Sequence, residues 1–104
     1  MAVIKELVAT ATSLEIDTDF LLSKHTHSMQ LLLRLGNNQE YPWEQHAGKT
    51  ESITVLIGYC AMEVEGQRFE LKTGDQIEIA PDERHRFLSD SECNLLVFFE
   101  TQSS

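Results

Sequence analysis

Apolar and polar side chains along this chain alternate in short runs and do not recur every third or fourth residue, which is a strand pattern. Ser28–Leu35 shows it most plainly. Met29, Leu31, Leu33 and Leu35 share one face of an extended segment, and Gln30 and Arg34 lie on the other. Gly36, Asn37 and Asn38 then supply turn chemistry. Residues 53–57 are mostly apolar and are predicted to be a strand ended by Gly58. Residues 59–64 and 68–71 flank Glu65, Gly66 and Gln67, which predicts a tight hairpin. A turn is expected at Thr73, Gly74 and Asp75. A strand over 76–80 is stopped by Pro81, Asp82 and Glu83. A strand over 85–88, a turn over 89–92 and an apolar strand over 93–99 complete the series. Residues 100–104 are expected to fray. Upstream, Leu14 and Ile16 alternate with polar neighbours and extend the β texture back to Ser13. Residues 2–11 hold Ala, Leu, Glu and Lys and are predicted to form a short helix or a first strand.

Many short strands with closely spaced turn signals predict an all-β sandwich or barrel, because closing the sheet removes edges that a short chain cannot otherwise cover. The 104 residues suit a single domain spanning the whole sequence, and 41% hydrophobic residues is a globular composition. No repeat, low-complexity tract or internal linker interrupts it.

Charge narrows the function classes. Seventeen acidic against eight basic side chains give a formal charge of −9. That sign argues against nucleic acid, whose phosphates need clustered Lys and Arg, and against anionic membrane surfaces. It favours solubility and the gathering of cations. Cys60 and Cys93 are too few for a disulfide scaffold. The N-terminal segment reads as no signal peptide, and no run approaches the ~18 apolar residues of a membrane helix. These features predict a cytoplasmic protein with free thiols.

Two stretches carry the candidate chemistry. One is YPWEQHAGKTESITVLIG, with His46, Glu51 and Gly58 at set spacing; the other is GDQIEIAPDERHRF, running from Gly74 to His85. Together they resemble the two motifs of the cupin superfamily, here at about residues 36–58 and 74–89, and the likeness extends over about Leu31 to Phe98. Some positions depart from the family pattern. Glu44 stands where a first His is usual, and Gly36 sits two residues too far upstream. Ala80 and Asp82 replace a Pro and a Gly, and Ser89 replaces a closing Asn.

The resemblance implies a double-stranded β-helix, or jelly-roll barrel, in which His46, Glu51 and His85 point into one cavity. Residues two apart on a strand face the same way, so Glu44 converges with His46. Glu51 is expected from the partner strand of that hairpin and His85 from the second motif. Two imidazoles with carboxylates suit Fe, Mn, Ni or Zn. The resemblance also implies a homodimer paired through N-terminal strands, and a small-molecule substrate or ligand. Two function classes stay open. One is a metal-dependent enzyme of dioxygenase, isomerase or decarboxylase type. The other is a non-catalytic small-ligand binder whose metal site has degenerated.

Other residues have simpler readings. His25 and His27 stand in phase with Met29; they either reach the cavity mouth or a dimer seam or, as the simpler expectation, are partly exposed strand histidines and not ligands. Tyr41 and Trp43 either wall the pocket or pack in a core or interface. Arg34, Arg84 and Arg86 are candidates for an anion clamp, with Arg86 facing outward from His85. Lys49 is expected to be solvated in a turn. Cys60 and Cys93 are expected to be buried and inert.

Overall fold

The computed structural model describes residues 1–102. The alternation in Ser28–Leu35 becomes a strand, β2, lying antiparallel between β1 (Thr18–Lys24) and β7 (Glu92–Thr101). The register sets Leu31 opposite Val97, Leu33 opposite Leu95 and Leu35 opposite Cys93, so both strands turn apolar residues to one interior. Leu32 faces the other way and is still fully buried. Helix α1 (Leu7–Thr12) packs against β2 and β7, and Asn94, outward on β7, donates from Nδ2 to Thr12 Oγ1 at 2.8 Å. A helix of six residues with no side-chain N-cap is held by packing, here of the fully buried Ala11. The structure resolves the choice left open for residues 2–11 in favour of a helix, starting only at Leu7. It corrects the strand texture at Leu14 and Ile16: residues 13–17 turn, and Asp17 takes a φ of 60°. The first strand begins after them, in the Phe20, Leu21, Leu22 run, whose apolar residues do not alternate.

The long element is β3 (Lys49–Val64). Its first half pairs with β7 on one side and β5 (Gln76–Ile79) on the other; its second half pairs with β4 (Gln67–Lys72) and β6 (His85–Phe87). One strand therefore belongs to both walls of the barrel. Gly58 does not end it. A bulge between Val55 and Ile57 leaves Leu56 unpaired, and the inward phase passes from Glu51, Ile53 and Val55 to Cys60, Met62 and Val64. Gly58 sits at the bend with a φ of 106°, where the β7 backbone comes so close that a Cβ would lie 2.3 Å from the Glu92 carbonyl oxygen. Glu65 and Gly66 form the predicted hairpin turn, both with positive φ.

The barrel interior is filled by Leu31, Leu33, Leu35, Ile53, Val55, Met62, Ile79, Phe87, Leu95 and Val97, with Tyr41 closing one side. The end of the chain is more ordered than expected. Glu100 and Thr101 belong to β7, Thr101 N donates to His27 O at 2.7 Å, and Gln102 N donates to Gly48 O at 2.8 Å. Residues 103 and 104 of the expected frayed tail lie outside the described residues. Among the described residues no helix is long and apolar enough to cross a membrane.

Candidate metal centre

Glu51 is the first inward residue of β3, set between Phe99 of β7 and Ile79 of β5 by the sheet register. Alternation carries its carboxylate into an apolar interior, where the side chain is only 5% exposed. His85 opens β6. Its backbone exchanges two hydrogen bonds with Glu44, N to O at 3.0 Å and O from N at 2.7 Å, while its other edge pairs with Val64. The imidazole is 1% exposed. His46 comes from the loop between Glu44 and β3, anchored where Asp82 N donates to His46 O at 3.1 Å and Gln45 Nε2 donates to Asp82 O at 2.7 Å. The structure thus brings the first motif to the site by a route other than a strand hairpin. Glu44 forms a single bridge to His85, and His46 lies in the loop, so neither is on a strand paired with β3.

All four predicted residues meet nonetheless. The donor atoms of Glu44, His46 and His85 lie within 4.8 Å of one another. Glu51 Oε1 lies 3.0 Å from His85 Nε2 and 3.5 Å from His46 Nε2. None of these contacts has hydrogen-bond alignment. Among the described residues, four buried side-chain polar atoms lack a hydrogen-bond partner, and three of the four are His46 Nε2, Glu51 Oε1 and His85 Nε2. Buried polar atoms are normally paired, so three orphans converging on one point form a site built for something to sit between them. The donor set, two imidazoles and two carboxylates, fits a divalent ion of the Fe, Mn, Ni or Zn kind.

The surroundings set the protonation of the donors. His85 Nδ1 lies 2.9 Å from the Glu83 carbonyl oxygen. A carbonyl only accepts, so Nδ1 carries the proton and Nε2 is the nitrogen left to ligate; this outer contact fixes ring and tautomer together. Burial pulls the His85 pKa down, but the Glu51 carboxylate, the Glu83 carbonyl and the Glu44 charge outweigh it, and the net direction is up. Glu44 is also raised, first by burial and then by the Glu51 charge, against the lowering influence of His46 and His85. Both groups therefore keep their protons to higher pH than they would free in water, and a cation ligated there must compete with those protons.

The remaining candidates lie elsewhere. His25 and His27 are exposed in the turn joining β1 and β2. Trp43 is neither pocket wall nor core: its half-buried ring lies under the Arg84 and Arg86 guanidinium groups, at 4.2 and 4.5 Å from the ring centroid. The anion clamp is not formed, because Arg86 donates to Glu63 Oε1 at 2.6 Å and Arg34 donates to Leu14 O at 2.7 Å. Tyr41 is core, its hydroxyl accepting from Gly36 N at 3.2 Å. Lys49 is exposed as expected but starts β3 and is not in a turn. Cys60 and Cys93 are free and buried, and the neighbouring Cys60 thiol together with burial pushes Cys93 upward, so Cys93 stays a thiol. Two contributors escaped the sequence. One is the Glu83 carbonyl, a backbone group that leaves no mark in residue type. The other is Phe99, whose ring meets His46 edge-on at 5.0 Å between centroids.

An antiparallel barrel with a His–Glu cluster held between its two motifs defines a class, the small β-barrel with a candidate metal centre. This chain belongs to the cupin domain family, whose model matches residues 31–99. Solved structures agree at the level of fold. A cupin-2 domain protein of Shewanella frigidimarina shares 17% identity with a TM-score of 0.78, over 96% of this chain and 95% of that one. A Neisseria meningitidis protein, also at 17%, gives 0.79 over 94% and 99%. A DMSP lyase of Ruegeria pomeroyi, at 19%, gives 0.71 over 80% of this chain and 46% of its own. No curated protein matches the sequence.

Proposed function

We propose that this cupin barrel holds one divalent metal ion through His46, Glu51, His85 and Glu44 and uses it to bind or transform a small polar molecule. The observation that carries the reading is the meeting of three unpartnered buried atoms, His46 Nε2, Glu51 Oε1 and His85 Nε2. An ion bound there supplies Lewis acidity and orients substrate oxygens. The chain does the rest. Glu51 and His85 hold the buried side of the site, with the Glu83 carbonyl fixing the His85 ring. His46, 28% exposed, stands on the open side. Glu44, with its raised pKa and partial exposure, is the group best placed to take or give a proton if it is not itself a ligand. An open coordination position would distinguish an enzyme from a binding protein with a closed shell.

Elemental analysis of protein purified without chelators tests this reading. Near-stoichiometric Fe, Mn, Ni or Zn is expected, with most of it lost in His46→Ala and in His85→Ala and retained in His25→Ala. Metal binding that survives His85→Ala overturns the site.

Assembly belongs to the same proposal. β1 is the terminal strand of its sheet and leaves one edge open, with Phe20 and Leu21 exposed beside Ile4 and Leu7. A second copy covers that edge. A two-fold antiparallel pairing of β1 with itself sets the Asp17 and Asp19 end of one strand against the Lys24 end of the other, which suits a chain of high net negative charge.

A further inference from the structure

Next to the candidate metal centre lies a second feature, with the opposite electrostatic character. Glu51 marks one inward layer of β3. Two residues earlier on the same strand, Lys49 occupies the next layer toward the open end, opposite Thr101, which is bonded to His27. At this rim there is a cavity of about 340 Å³ lined by Lys24, His25, His27 and Lys49 above Met29 and Phe99. In a chain of charge −9, this one hollow gathers two of the four lysines and two of the four histidines. Among the described residues none of the four lysines has a carboxylate partner, and this hollow brings two of them together. The floor is apolar. Phe99 touches the cavity on one side and His46 on the other, at 5.0 Å between ring centroids.

We propose that this rim cavity binds a small organic acid, its carboxylate held by Lys49 and His27 and its apolar body laid on Phe99 and Met29. Unpaired ammonium groups are poor neighbours for one another and favour an anion between them. Imidazole nitrogens add donors that need no full charge. The volume lies at the small end of the range for ligand pockets, which begins at about 300 Å³, so the ligand is a single ring or short chain. In a chain of charge −9, the gathering of two lysines and two histidines in one hollow favours an anion there over the acidic surface in general. Anion capture at the rim stands independently of the metal-site reading.

The test uses the full chain in its metal-free form near neutral pH, with benzoate, its uncharged isostere benzamide, and inorganic phosphate as probes. Binding is followed by calorimetry and by backbone amide shifts. Benzoate should shift the amides of Ser28, Met29, Phe99 and Thr101 and bind more tightly than either other probe. Lys49→Gln should weaken it about tenfold, the loss of one charge-assisted contact, with a comparable loss in His27→Ala and none in Lys72→Gln. The Lys49 and His27 side chains are exposed, so these variants leave the core intact, and an unchanged unfolding transition verifies it. Benzamide binding as well as benzoate, phosphate binding as tightly as benzoate, or indifference to Lys49→Gln each overturns the proposal. Because no metal is present, failure here leaves the metal site standing. Failure of the metal titration with benzoate still bound would instead sink the metal reading and leave the rim.

Discussion

Each ring nitrogen of His85 has its own task. Nδ1 is committed to the Glu83 carbonyl, which leaves Nε2 facing Glu51 either as a second N–H or as a lone pair. The choice follows pH. A raised folded value means that the protonated ring stabilises the metal-free fold below the ordinary imidazole value of about 6.5 and that this contribution fades as pH rises through the raised value. Glu44 works in the same direction. Its raised folded value gives stability below the ordinary carboxyl value of about 4.3, which is lost as pH rises through the folded value. A metal ion needs both groups deprotonated. The increase in melting temperature produced by Zn or Mn should therefore grow as pH rises from about 5 to 8. Thermal scans with and without metal across that range check it, and an increment independent of pH would contradict the cluster as described. At this scale the sequence is informative where chemistry follows residue type. The meeting of His46, Glu51, His85 and Glu44 was legible through the likeness to the two cupin motifs, whose spacing sets these positions. The rim was less so. For His27 a place at the mouth was one of the readings open from the sequence, but Lys49 beside it depends on the register between β3 and β7, which no local pattern states.

At the scale of the element, β3 is the strand the sequence half reveals. Its buried positions are odd-numbered up to Val55 and, apart from the small Ala61, even-numbered from Cys60. The change of parity across Leu56–Gly58 is the written sign of a bulge. Glycine in a strand reads equally as a stop, and only the approach of β7 distinguishes the two. That approach makes a quantitative prediction. In Gly58→Ala the new methyl would meet the Glu92 carbonyl oxygen at 2.3 Å and the Cys93 Cα at 2.8 Å, in a positive-φ conformation. Backbone atoms cannot step aside as a side-chain tip can, so the expected loss is roughly 2–4 kcal/mol. Gly66→Ala, also at positive φ but with open space around it, should lose only about 1 kcal/mol. Urea unfolding of the two variants measures the difference, and equal losses would show that backbone conformation alone, not the crossing at Gly58, sets the requirement. β1 was missed for a related reason. Phe20, Leu21 and Leu22 are consecutive apolar residues on a strand whose outer edge is open, so its pattern obeys neither a buried nor a half-buried rule.

For the whole molecule, the class of fold was legible because turns and strand phase survive changes in the motif residues, and the family match over residues 31–99 rests on the same features. Assembly is where the described surface asks most. Phe20 and Leu21, 45% and 54% exposed on an open edge, are an aggregation hazard unless covered. The protein should run as a dimer in light scattering, and Phe20→Glu should yield a folded monomer with unchanged metal content. A monomeric wild-type protein would refute self-pairing through β1.

The closing contacts of β7 have a practical consequence. Thr101 is bonded to His27 and Gln102 to Gly48, next to Lys49, so the backbone at Gln102 lies beside the cationic rim. A polyhistidine tag fused there would hang over the mouth, lend its own imidazoles to any titrated metal and crowd the hollow meant for an acid. The same tag placed ahead of Met1 would follow the segment leading into α1, which makes none of the contacts that hold Thr101 and Gln102. Fusing it at each end in turn and comparing the metal bound per chain would show how much of the apparent affinity belongs to the protein.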